Sequence, residues 1–148
     1  MHRKIAPALV SLGLFNRLLE EAATRYSACL INYAGISLPR LDLVLLGMGP
    51  DGHTASLFPG SATLDSTELV AIERNSPKPP SQRITFTYKL INNAANVLFM
   101  VTGADKANTL RRVLAANSNA KQLPSHGVRP TNGKLCWLFD EEAASELD

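Results

Sequence analysis

The 148 residues are enough for one domain with one core. Hydrophobic residues make up 45% and charged residues 19%, which excludes a disordered chain. A formal net charge of +2 gives no electrostatic case for nucleic acid or an anionic membrane, so an anionic ligand must be held by a few local cations.

No apolar run approaches the ~18–20 residues that span a bilayer. His2, Arg3 and Lys4 precede an apolar stretch, but it runs into Glu20 and Glu21 without a cleavage site. It reads as an ordinary helix or a truncation scar rather than a targeting segment. From about Leu14 to Asn32, Leu14, Leu18, Leu19, Ala22 and Tyr26 recur at helical spacing. Gly35 and Pro39 break this helix. Leu43 to Leu46 is a short apolar run that reads as a buried strand of a parallel sheet. The turn Gly47-Met48-Gly49-Pro50-Asp51-Gly52-His53 follows, and then a short helical stretch, Thr54 to Phe58.

Strands are expected at Leu69 to Ile72 and, after the proline-rich loop, at Arg83 to Thr87. A helical turn, Tyr88 to Ala95, leads to a second strong strand, Asn96 to Thr102. A helix, Ala104 to Ala116, and a long polar loop, Asn117 to Gly133, come next. His126 and Arg129 in that loop read as surface residues. Leu135 to Phe139 is the last strand, with Trp137 and Phe139 on one face. Asp140 is a plausible N-cap for a final short helix, Glu141 to Leu147. Strands alternating with helices predict a single α/β domain whose mainly parallel sheet is flanked by helices. Ligands of such sheets bind at the carboxyl ends of the strands, where the glycine turn lies.

Gly47, Gly49 and Gly52 satisfy the GxGxxG dinucleotide fingerprint. Asp51 would oppose a pyrophosphate there, Pro50 lacks an N–H to cradle it, and Pro59 ends the following helix too soon for a βαβ crossover. The turn fits catalysis better. Its glycines allow a tight backbone and room for a substrate. A neutral imidazole, with a reference pKa of ~6.5, can take a proton from water near pH 7. Asp51, two residues from His53, can orient the ring and stabilise the imidazolium. Cys29 and Cys136 lie outside any CxxC, and no histidine pair has zinc spacing. Two reduced thiols in a cytoplasmic protein are expected, with a disulfide between them left open. No metal site or cofactor is implied.

Three blocks carry a resemblance in order: LLGMGPDGHTASLFPG, SPKPPSQRITFTYKLINNAANVLFMVTGADKA and LPSHGVRPTNGKLCWLFDEEAA. Together they resemble the 6-phosphogluconolactonase family. The first block is also similar to the corresponding turn of glucosamine-6-phosphate deaminases, and the other two favour the lactonase. The resemblance implies a fold similar to the ribose-5-phosphate isomerase and glucosamine-6-phosphate deaminase group. It also implies hydrolysis of 6-phosphoglucono-δ-lactone to 6-phosphogluconate in the oxidative pentose phosphate pathway. His53 matches the family's water-activating histidine and Asp51 the acidic residue beside it. Gly49 and Gly52 shape the substrate side of the turn. Arg83 matches a basic residue expected to help bind the anionic substrate, and Lys78 is a weaker candidate for the same task, since a loop lysine is most often a solvated charge.

Nothing here matches the first strand, the phosphate loop or the Asp-Glu-Arg motif of that family's N-terminal half. The resemblance therefore implies a domain incomplete at its N-terminus. Two alternatives accompany the lactonase reading. One is a catalytically silent fragment acting through protein contacts, and the other is a deaminase-like enzyme.

Overall fold

The computed structural model describes residues 12–147, and their side chains from residue 17. The expectation for the opening residues, helix or scar rather than targeting segment, falls for residues 1–11 outside this range. Helix α1, Leu12–Ala34, follows the helical spacing of its leucines and ends at Gly35. Gly35 adopts a positive φ of 68° and its N–H donates to the Ile31 carbonyl at 2.8 Å. This left-handed cap stops a helix without a Cβ penalty.

Strand β1, Val44–Gly47, pairs in parallel with β4, Asn96–Val101, which pairs in parallel with β5, Lys134–Phe139. The order β1-β4-β5 places β4 in the centre. A second sheet is an antiparallel ribbon of β2, Val70–Glu73, and β3, Arg83–Phe86. The short helix α2, Tyr88–Ile91, follows the ribbon, and α3, Ala107–Leu114, connects β4 to the loop before β5. The expected α/β architecture is present, with its parallel order confined to the three-stranded sheet.

Side chains alternate across a strand, so each strand of the parallel sheet has two faces. Val44, Leu46, Val97, Phe99 and Val101 point into the larger core with Leu57, Ile91, Leu110 and Val128. Phe99 stacks on Trp137 with ring centroids 4.0 Å apart and planes within 4°. Such a pair adds about 0.5–1.5 kcal/mol beyond its buried area. Trp137 and Phe139 share this face, as their spacing predicts. The smaller core packs α1 on the ribbon through Ala23, Leu69, Val70 and Leu90.

The other face of the parallel sheet stays open among the described residues. Leu45 is 59% exposed, Met100 53% and Leu138 57%. The run Leu43 to Leu46 therefore alternates between buried and exposed instead of being buried throughout. Its composition suits a strand covered on both faces, as parallel strands normally are, but the described residues cover one face.

Two expected helices differ. Thr54 to Phe58 forms a tight turn in which Leu57 donates to the Thr54 carbonyl at 2.8 Å. Ala55 has φ 50°, which no right-handed helix accommodates. Glu141 to Leu147 makes successive turns, with Ser145 donating to Glu142 and Leu147 to Ala144. Asp140 does cap this segment, accepting from the Ala143 N–H at 2.8 Å. Its carboxylate also accepts from the Gly103 N–H, which ties the segment to the end of β4. Cys29 and Cys136 are exposed free thiols. Among the described residues, no helix is long and apolar enough to cross a membrane.

Candidate active site

Strand β1 delivers its last residue, Gly47, to the edge of the sheet, and the chain then folds back on itself. Gly52 donates to the Gly49 carbonyl and Gly49 to the His53 carbonyl, both at 2.9 Å. Gly52 adopts φ 80°, a region that favours glycine. The outward carbonyls of the turn are held from behind. Thr54 Oγ1 donates to Gly47 at 2.8 Å, Thr109 Oγ1 to Pro50 at 2.6 Å, and the buried Ser125 donates its N–H to Gly52 at 2.9 Å. Leu123 fills the space beside Gly52, where a Cβ would lie 2.7 Å from Leu123 Cδ2.

This frame sets His53 against Asp51. His53 Nδ1 and Asp51 Oδ1 are 2.5 Å apart, and the His53 N–H also donates to Asp51 Oδ1 at 3.2 Å. Burial acts to raise the Asp51 pKa. Hydrogen bonds from the His53 ring and backbone, with the charge of the imidazolium, outweigh it and hold the carboxyl below its ordinary value. An ionised Asp51 accepts the proton on Nδ1, which leaves the lone pair of the neutral ring on Nε2. No described residue hydrogen-bonds to Nε2. The ring also packs on buried Phe58, centroids 4.6 Å apart.

His53 opens on a cavity of about 460 Å³, lined by the turn from Gly47 to Pro50, by Ala55, and by Lys78 and Lys106. That volume suits a small-molecule ligand. The left-handed backbone of Ala55 in this wall costs of order 1–3 kcal/mol, a strain typical of functional sites.

Of the residues singled out in the sequence, the structure brings His53, Gly49 and Lys78 to the cavity wall, with Asp51 on the His53 ring. Gly52 lies behind the turn, against Leu123. Arg83 is not among the lining residues. Its guanidinium donates to the carbonyls of Lys78, Pro79 and Pro80.

Lys106 was missed by reading the sequence. Its ammonium lies 2.5 Å from Asp105 Oδ2, and its side chain is 19% exposed. Gly103-Ala-Asp-Lys lies just beyond β4 and carries no mark of the site by itself; only the pairing of β4 with β1 sets the carboxyl ends of the two strands side by side. Within the turn, the N–H groups of Gly49, Gly52 and His53 are spent on the His53 carbonyl, the Gly49 carbonyl and Asp51 Oδ1.

Residues 5–137 match the family described as glucosamine-6-phosphate isomerases/6-phosphogluconolactonase. The chain belongs to this family. Among its relatives, the 6-phosphogluconolactonase of Homo sapiens is 47% identical over 131 residues, covering 87% of this chain and 50% of the human one. The structure of 6-phosphogluconolactonase from Leishmania guyanensis superposes with a TM-score of 0.77 at 30% identity, over 87% of this chain and 53% of that one. A monomeric glucosamine-6-phosphate deaminase superposes with a TM-score of 0.66 at 26% identity, over 86% of this chain and 55% of its own. The fold is thus shared by lactonases and deaminases within this family. The chain spans about half the length of the curated relatives it matches.

Proposed function

We propose that this chain carries the proton-transfer half of a site that hydrolyses 6-phosphoglucono-δ-lactone to 6-phosphogluconate, a step of the oxidative pentose phosphate pathway. The observation that carries the reading is the pairing of His53 Nδ1 with Asp51 at 2.5 Å beside a cavity that also holds Lys78 and Lys106. The similarity to 6-phosphogluconolactonases supports it.

In this reaction Nε2 of His53 takes a proton from water as the water oxygen attacks the lactone carbonyl. Asp51 keeps the proton on Nδ1 and stabilises the imidazolium that forms. The carbonyl oxygen becomes an oxyanion. Because three turn amides are spent internally, the lysine ammonium groups are the cations at hand for the anionic centres of the substrate. The tetrahedral intermediate collapses, the ring C–O bond breaks, and His53 returns its proton to the leaving ring oxygen. General-base help of this kind contributes about 10²–10⁴ in rate. A cytoplasmic setting with no nucleic-acid partner completes the reading.

The test is hydrolysis of freshly made 6-phosphogluconolactone by the purified chain, with the spontaneous rate subtracted. Acceleration that disappears in His53→Ala supports the reading. A folded chain giving no acceleration overturns it, and leaves a silent fragment acting through protein contacts. The likeness to the deaminase structure makes ammonia release from glucosamine 6-phosphate the arm that would instead reveal a deaminase.

A further inference from the structure

Arg83 opens β3, paired across the ribbon with Glu73, at the end of the loop that carries Lys78. Its guanidinium makes three hydrogen bonds to that loop. Nε donates to the Pro80 carbonyl at 3.0 Å, and Nη2 donates to those of Lys78 at 2.8 Å and Pro79 at 3.0 Å. A planar fork with donors in fixed directions can gather three successive carbonyls, whereas a lysine ammonium is a single point of charge on a flexible stem. Ser76 completes the fastening. Its Oγ donates to the Lys78 carbonyl at 2.8 Å and accepts from the Lys78 N–H at 3.2 Å, and its N–H donates to Ser81 at 2.8 Å.

The guanidinium also lies over the Phe58 ring, 5.6 Å from its centroid, and Phe58 packs on the His53 imidazole. Arg83 thus touches both the loop that brings Lys78 to the cavity and the aromatic ring that backs His53, yet is not itself among the residues lining the cavity. Lys78 is an exposed residue on a loop of prolines. Without a fastening, such a loop would leave Lys78 free to move away from the cavity wall.

We propose that Arg83 is a positioning residue, which holds Lys78 at the cavity in fixed relation to His53 and does not contact the anionic ligand itself. The inference deepens the sugar-phosphate reading and rests on it for the identity of the anion. The hold on the loop stands apart from that reading.

Two measurements on the full chain test this. The first is amide hydrogen exchange in wild type, Arg83→Gln and Arg83→Lys. Exchange at the Ser76 and Lys78 amides is expected to quicken at least tenfold in both variants, with the β1 and β4 amides unchanged. Charge retained in Arg83→Lys does not restore protection, because the fork is gone. Unchanged exchange at Ser76 and Lys78 overturns the proposal. So does loss of protection throughout β4 in both variants, which would make Arg83 a residue of general stability.

The second is the affinity for 6-phosphogluconate in a cycle of Lys78→Ala, Arg83→Gln and the double variant. The double variant is expected to bind as Lys78→Ala does, since Arg83 acts through Lys78. Losses that multiply overturn the proposal in favour of direct contact. If the wild-type chain does not bind 6-phosphogluconate, the sugar-phosphate reading falls, and the exchange measurement alone decides whether Arg83 holds the loop.

Discussion

The His53 imidazole occupies the space that a side chain on Gly49 would need. A Cβ built there lies 2.1 Å from His53 Nδ1, 2.2 Å from Cε1 and 2.7 Å from Asp51 Oδ1. The absence of a side chain at Gly49 is therefore what lets the imidazole and carboxylate meet over the turn. Gly49→Ala is expected to force the ring away from Asp51, with a stability loss of about 1–3 kcal/mol from overpacking. Urea unfolding measures the stability, and loss of the low-field Nδ1 proton resonance measures the separated pair. An Ala variant that keeps that resonance and unfolds like wild type would show that the turn relaxes around the extra carbon.

Asp51 makes the pair sensitive to acid. Its carboxyl is held below the ordinary 3.8 in the folded chain, so folding favours the ionised form. The contribution is complete above pH 3.8 and is lost as the pH falls through the lower folded value. Urea unfolding of wild type and Asp51→Asn between pH 2 and 7 is expected to show a wild-type advantage at the upper end that shrinks below about pH 3.8. An advantage that persists undiminished to pH 2 contradicts the depressed carboxyl.

Gly127 meets Tyr88 in the same manner as Gly49 meets His53. A Cβ on Gly127 would lie 2.5 Å from Tyr88 Cζ and 2.6 Å from its hydroxyl, which donates to the Pro124 carbonyl at 2.6 Å. Burial raises the pKa of this phenol well above its usual 10. Gly127→Ala is expected to displace the ring, lower stability by about 1–3 kcal/mol, and let Tyr88 ionise at lower pH. Ultraviolet titration of the tyrosines, with Tyr88→Phe to assign the late step, checks this. A late step that remains in place in the variant shows the ring unmoved.

The open face of the parallel sheet predicts surface behaviour. Leu45, Met100 and Leu138 are exposed side chains on neighbouring strands, with Met100 and Leu138 directly paired. Contiguous apolar surface of this kind drives association. Met100→Lys and Leu138→Lys together are expected to lower binding of the dye ANS and concentration-dependent self-association, with unfolding changed by less than about 1 kcal/mol, as for surface substitutions. A large loss of stability instead would show that this face is covered.

Much of this molecule was legible in its sequence. The apolar runs around Leu45 and Leu98 and the spacing of the α1 leucines gave the order of strands and helices, because burial periodicity is a local property. The glycine turn with Asp51 and His53 two residues apart was legible for the same reason, since groups that close in the chain need only a tight backbone to meet. Tertiary structure decided the rest. Thr54 to Phe58 carries no local signal against a helix, yet Thr54 is drawn to the Gly47 carbonyl and Ala55 into a left-handed turn. The proline loop gives no sign that Arg83 spends its fork on three carbonyls. Nor does Gly103-Ala-Asp-Lys show that Lys106 reaches the cavity of His53, which follows only when β4 pairs beside β1. The turn itself is held by Thr109, 59 residues from Pro50, and by Ser125, 72 residues from His53. Contacts at such separations are set by how the layers pack, and no window of sequence contains both partners.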